Sequence, residues 1–174
     1  MTDENIHDGG DAREHHGAEA ELRRHRILKL ERIRERGDEP FKYACVRTHL
    51  IGAARDAFEE IERGAEPDSG PELPGVQLAG RVTARRVQGK SAFLDLRDET
   101  GRIQIFLGEK QIGGEAYDHL KDLDIGDFIH AEGAVKRTRR GEITLFAGEY
   151  TFLAKSLKAA AAAQYAMGVN VITS

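Results

Sequence analysis

A chain of 174 residues has room for one domain of ordinary size plus extensions, and its 26 Lys and Arg against 30 Asp and Glu leave it slightly acidic, which excludes a general polyanion binder. The charge is uneven: residues 1–75 hold 12 basic and 18 acidic side chains and residues 76–158 hold 14 and 12, so the second part suits a small nucleic-acid footprint rather than a wide one. The single cysteine, Cys45, excludes an intramolecular disulfide and any cysteine-based metal site, and makes the cytoplasm the natural compartment. The first residues carry acids and histidines rather than a basic segment followed by an apolar one, so no secretion signal is expected. No apolar run is long enough to span a membrane, and no membrane partner is expected.

Residues 1–17 are polar, contain glycine and lack a hydrophobic period, which predicts a disordered tail. His15-His16 within it is not expected to bind metal, because a metal site needs several ligands in fixed geometry. Residues 18–75 read as a helical extension and linker. Strong helix formers fill 18–36 up to Gly37, with a ragged apolar stripe of Leu22, Ile27, Leu30 and Ile33. Seven Lys and Arg lie between Arg23 and Arg36. They fit either a solvated helix laced with charge pairs, or a basic edge touching a nucleic-acid backbone or a partner subunit. Residues 37–47, with Pro40, read as a connector, and Thr48 fits a helix cap. Leu50, Ala54, Phe58 and Ile61 follow at helical spacing, predicting a second helix over 48–63. Residues 65–75 hold three of the four prolines and form a loop.

Residues 76–108 switch to the period of half-buried strands, broken at Gly89-Lys90 and at Glu99-Thr100-Gly101. Ala92, Leu94 and Leu96 share one face of the second strand, with Ser91, Phe93, Asp95 and Arg97 on the other. In the third strand Ile103, Ile105 and Leu107 point one way and Arg102, Gln104 and Phe106 the other. Phe93 therefore sits on a polar face, one strand from Gln104 and close to arginines. Single-stranded nucleic acid needs such a face: a ring for a base to stack on, an amide for the base edge, and cations for phosphate. The alternative is that Phe93 and Phe106 lie under a loop or a neighbouring domain.

Gly113-Gly114 opens a short helical stretch with Ala116, Leu120 and Leu123 on its apolar side, ended by a turn at Gly126-Asp127. Residues 128–138 and 142–153 read as two more strands, joined at Arg139-Arg140-Gly141. Strand, strand, strand, helix, strand, strand is the order of the OB-fold, a five-stranded Greek-key barrel. The expected class is mainly β with flanking α, a barrel over 76–158 preceded by N-terminal helices.

The run AGRVTARRVQGKSAFLDLRDETGRIQIF resembles the N-terminal anticodon-binding domain of class II aminoacyl-tRNA synthetases of the aspartate, asparagine and lysine group. RRHRILKLERIRERGDEPF ahead of it, LDIGDFIHAEGAVKRTRRGEITL within the barrel and FLAKSLK at its end are similar to the bacterial-type lysyl-tRNA synthetases. The resemblance covers roughly 20–43 and 76–158. It implies that Phe93 stacks on the middle anticodon base, that Gln104 hydrogen-bonds that base, that Arg86, with Arg85 beside it, contacts the anticodon, and that Glu142 reads a further base. It implies a lysine tRNA as partner, and a homodimer if the family's arrangement is retained.

The resemblance stops after Lys158. KAAAAAQYAMGVNVITS is unlike the family, and residues 159–174 are expected to be a divergent or truncated tail, with a helix plausible over Ala159 to Met167 from propensity. The family's three catalytic signature motifs are not found in these residues, and no local signature of a phosphate loop or a nucleophilic triad replaces them. The expectation is a chain that contacts tRNA, forms no lysyl-adenylate alone and carries no cofactor, since ATP and Mg belong to the family's catalytic domain. Two alternatives stay open: a free-standing OB-fold protein binding single-stranded nucleic acid with little preference, and an interaction module whose barrel face is covered.

Overall fold

The computed structural model describes residues 11–42, 44–66, 69–158 and 170–173. Helix α1 spans Asp11–Glu35, strand β1 Ala44–Arg47 and helix α2 Ile51–Gly64. The strands β2 (Leu73–Gln88), β3 (Ser91–Arg97) and β4 (Arg102–Gly108) follow, then the short helices α3 (Glu109–Ile112) and α4 (Gly114–His119) and a 3-10 turn at Leu120–Asp122. Strands β5 (Phe128–Arg137), β6 (Ile143–Ala154) and β7 (Asn170–Thr173) complete the order.

Five strands close into a barrel in the order β2-β3-β4-β6-β5. Within the barrel only β4 and β6 run parallel; its other pairs are antiparallel. This is the Greek-key OB arrangement that the element order implies. The alternation of apolar residues explains the inside: Val76, Leu78, Leu94, Leu96, Ile103, Ile105, Leu107, Ile129, Val135 and Leu145 are all fully buried. Closure without edges removes the unpaired strand groups that would template aggregation.

Two glycines let the sheet turn its corners. A Cβ at Gly80 would lie 2.6 Å from the Arg97 carbonyl oxygen, and one at Gly133 would lie 2.1 Å from that of Phe146. Side chains there would force the strands apart. A bulge in β2 between Val82 and Ala84 has a further consequence. Strict alternation from Val76, Leu78 and Val82 would turn Ala84 and Arg86 inward. The extra residue, Thr83, reverses the phase, so Arg86 pairs with Phe93 and Arg85 with Leu94.

α2 covers one side of the barrel with Ile51, Ala54 and Phe58. Its free N-terminal amides are satisfied from a distance: Ile51 N–H donates to Asp98 Oδ2 at 2.8 Å and Gly52 N–H to Thr100 Oγ1 at 2.8 Å, both from the β3–β4 turn. Thr48 is therefore not the cap that local sequence suggests; its hydroxyl accepts from the Gln77 N–H at 2.9 Å. A bidentate pair from Arg137 to Glu62, both contacts 2.6 Å, fastens α2 to β5.

α1 starts at Asp11, earlier than the expected position 18, so the described part of the expected disordered tail is helical. Residues 1–10 and Ala159 to Met167 lie outside the described residues. The connector 37–47 contains β1, which pairs in parallel with β7 from the far end of the chain, Ala44 with Asn170 through Arg47 with Thr173. The stretch expected to hold only a tail thus contributes a strand to a second, two-stranded sheet.

Candidate nucleic-acid interface

The outward face of β3, β4 and β6 is built as two parallel rows. Pairing brings Arg86, Phe93, Phe106 and Phe146 into one row. Ala84, Asp95, Gln104 and Thr144 form the next. The ring centroids of Phe93 and Phe106 are 5.1 Å apart at 54°, and those of Phe106 and Phe146 are 5.3 Å apart at 50°. These are favourable tilted aromatic contacts. All three rings are partly buried and keep part of their surface open to solvent. They form a continuous aromatic strip beside an amide.

Gln104 lies diagonally from Phe93, since Asp95 is its direct partner on β3 and Phe93 faces Phe106. The amide is anchored from one side only: Thr144 Oγ1 donates to Gln104 Oε1 at 3.0 Å. The Gln104 amide nitrogen has no hydrogen-bond partner among the described residues. At the end of the face, Arg102 bridges Asp95 at 2.7 Å and Glu142 at 3.3 Å. The bridge to Glu142 is solvent-exposed, and such pairs are worth little, so a ligand could draw Glu142 away. Arg86 is exposed and forms no hydrogen bond or ion pair among the described residues.

Of the residues implied by the resemblance, the structure brings Arg86, Phe93, Gln104 and Glu142 onto this face. Arg85 does not join them. It shares the inward side with Leu94, and its guanidinium donates to the Leu120 carbonyl at 3.1 Å. Phe146 and Thr144 are members of the face that the sequence reading passed over. The signal was present: in Ile143-Thr144-Leu145-Phe146-Ala147 the aliphatic residues are buried at alternate positions, so Phe146 has to point out.

The basic helix α1 behaves differently. Arg26 donates to the carbonyls of Ser156 at 2.9 Å, Lys158 at 2.6 Å and Ile125 at 3.1 Å. Lys29 bonds Asp124, and Arg32 and Arg36 hold Asp122 at 2.7 and 2.8 Å. Beneath them Lys155 Nζ bonds Asp124 at 2.6 Å and Asp127 at 2.7 Å. Burial would raise the Asp124 carboxyl, but hydrogen bonds from Lys155 and Lys29 hold it below its ordinary value. Burial prevails at Asp127 and pushes it up. This is a seam that docks α1 on the barrel.

A closed Greek-key barrel with an open aromatic and polar strip defines a class, the OB-fold nucleic acid binding domains, and residues 76–153 match the family model of that description, tRNA anti-codon. The particular similarity is to lysine--tRNA ligases, and it takes in residues 76–153, an OB-fold domain of the anticodon-binding family that matches them. It is 38% identical over 148 residues to the lysine--tRNA ligase of Trichormus variabilis, covering 80% of this chain and 26% of that protein. The ligase of Roseiflexus sp. (strain RS-1) is 42% identical over 140 residues, 79% of this chain and 27% of that protein. The chloroplastic/mitochondrial ligase of Arabidopsis thaliana is 36% identical over 137 residues, 78% of this chain and 22% of that protein. The chain thus spans about a quarter of the length of the curated relatives it matches.

Proposed function

We propose that this chain binds the anticodon of a lysine tRNA on the outward face of β3, β4 and β6. The observation that carries the reading is the open row Phe93-Phe106-Phe146 beside Gln104, with Arg86 directly opposite Phe93. In this reading the middle anticodon base stacks on Phe93 and meets the Gln104 amide. Arg86 contacts the anticodon backbone, and Glu142 exchanges Arg102 for a further base. Stacking accepts any base, so choice rests on the hydrogen-bonding groups. The adenylation and transfer steps of a ligase are assigned to none of these residues, and the chain alone is expected to form no lysyl-adenylate. No helix among the described residues is long and apolar enough to cross a membrane; a cytoplasmic location rests on the single cysteine, and a homodimer, carried over from the resemblance, is checked by sedimentation.

The test is titration of the chain with lysine tRNA anticodon stem-loops that differ at the middle base. The reading expects the cognate loop to bind best and Phe93→Ala to bind more weakly. Equal binding of all loops would favour an unspecific single-strand binder, and unchanged binding by Phe93→Ala would remove the stacking role.

A further inference from the structure

Thr144 is a polar residue with no solvent exposure, placed between Gln104 on β4 and Lys136 on β5. Its hydroxyl has one proton to give. Gln104 Oε1 lies 3.0 Å away and the Glu142 carbonyl 3.3 Å away, so the amide oxygen is the nearer acceptor. A glutamine amide can turn over about its last torsion at little cost, exchanging an acceptor for a donor. An unanchored glutamine would therefore offer a base either sign of contact and discriminate poorly.

Two features fix the sign here. The Thr144 proton ties Oε1 to the sheet. On the other side stands Asp95, the direct partner of Gln104, whose Oδ1 is buried without a hydrogen-bond partner. A carboxylate oxygen repels the amide oxygen and attracts the amide N–H. Both favour the amide oxygen on the Thr144 side, which leaves the nitrogen as the donor the face offers.

We propose that Thr144 is a positioning residue that sets the polarity of the Gln104 amide, so that the face presents an N–H donor and selects a base with a carbonyl where cytosine carries an amino group. The inference rests on the anticodon reading above and goes further, since it names the residue behind the choice. Uracil and cytosine at the middle position are the discriminating pair: the rings are the same size and differ in the groups at positions 3 and 4.

Thr144→Val keeps the volume and removes the hydroxyl. Its preference for the uracil loop over the cytosine loop should fall roughly threefold to tenfold, the weight of one neutral hydrogen bond. Thr144→Ser should restore the preference. In a Gln104→Ala background Thr144→Val should leave the ratio unchanged, which a merely structural role would not require. A Thr144→Val chain that folds and keeps the wild-type ratio would overturn the inference and leave the anticodon reading intact. A wild type that binds both loops alike, with Phe93→Ala no weaker, would overturn both.

Discussion

Two regions of this molecule are rich in arginine and aspartate, and they do opposite things with them. Along the α1 seam, Arg26, Lys29, Arg32 and Arg36 follow each other at helical spacing and are all committed to carboxylates or carbonyls of the barrel. On the β3–β4–β6 face, Arg86 is unengaged among the described residues and the rings beside it are open. A count of basic residues points to α1 as the nucleic-acid contact. The pairing points to the strands. What separates the two is whether acceptors stand opposite the cations: Asp122 takes Arg32 and Arg36 and Asp124 takes Lys29, and Arg86 has no such counterpart among the described residues.

The largest effect should come from breaking the seam at its buried centre. Lys155→Ala leaves Asp127 buried without its cation, and loss of one partner of a buried pair costs about 3–5 kcal/mol. Denaturant unfolding should show that loss. Stem-loop affinity at temperatures where the variant is folded should stay close to wild type, because the recognition face does not include Lys155.

Phe93→Ala works the other way round. It should lower stem-loop affinity by about 1–3 kcal/mol, the loss of one stacked base, and should lower stability less than Lys155→Ala does, because the ring is partly exposed and its loss leaves no buried charge unpaired. The two variants together form a crossed pair: one lowers stability and spares binding, the other lowers binding at a smaller cost in stability.

Acid should act on the seam first. Asp124 is held below its ordinary value, so it contributes stability above about pH 3.9, the unfolded aspartate value, and loses it as the pH falls through its folded value. Asp127, raised by burial, contributes in the opposite sense. Asp124→Asn should therefore flatten the loss of stability on the acid side of about pH 4, followed by chemical denaturation at several pH values.

Arg86→Ala should reduce the slope of log affinity against log salt by about one, if its contact is to a phosphate. The smallest effect is expected at Arg34, an exposed cation of α1 directed away from the seam. Arg34→Ala should alter neither stability nor binding measurably, and a loss of affinity there would move the RNA contact back to the helix.

The strands, their turns and their inner and outer faces were legible because alternation and turn residues are local signals. Arg85 and Arg86 were not separable, because the bulge at Thr83 reverses the phase without any glycine or proline to mark it. Thr144 was hidden for another reason. It meets Gln104 through the parallel pairing of β4 with β6, a contact 40 residues apart that no local pattern encodes. The same holds for β1, whose partner β7 lies at the far end of the chain, and for the capping of α2 by Asp98 and Thr100. Helix α1 was legible as basic; the acceptors that claim its cations were not, since Asp122 and Asp124 sit in a turn region a long way down the sequence.

The most direct test of the central claim is to map backbone and side-chain amide shifts in the NMR spectrum as a lysine tRNA anticodon stem-loop is added. The account predicts that the shifts gather on β3, β4 and β6, with the Gln104 side-chain NH2 among the largest, and that the amides of α1 from Arg23 to Arg36 stay in place. Shifts concentrated along α1, with Phe93, Gln104 and Phe146 unmoved, would contradict it.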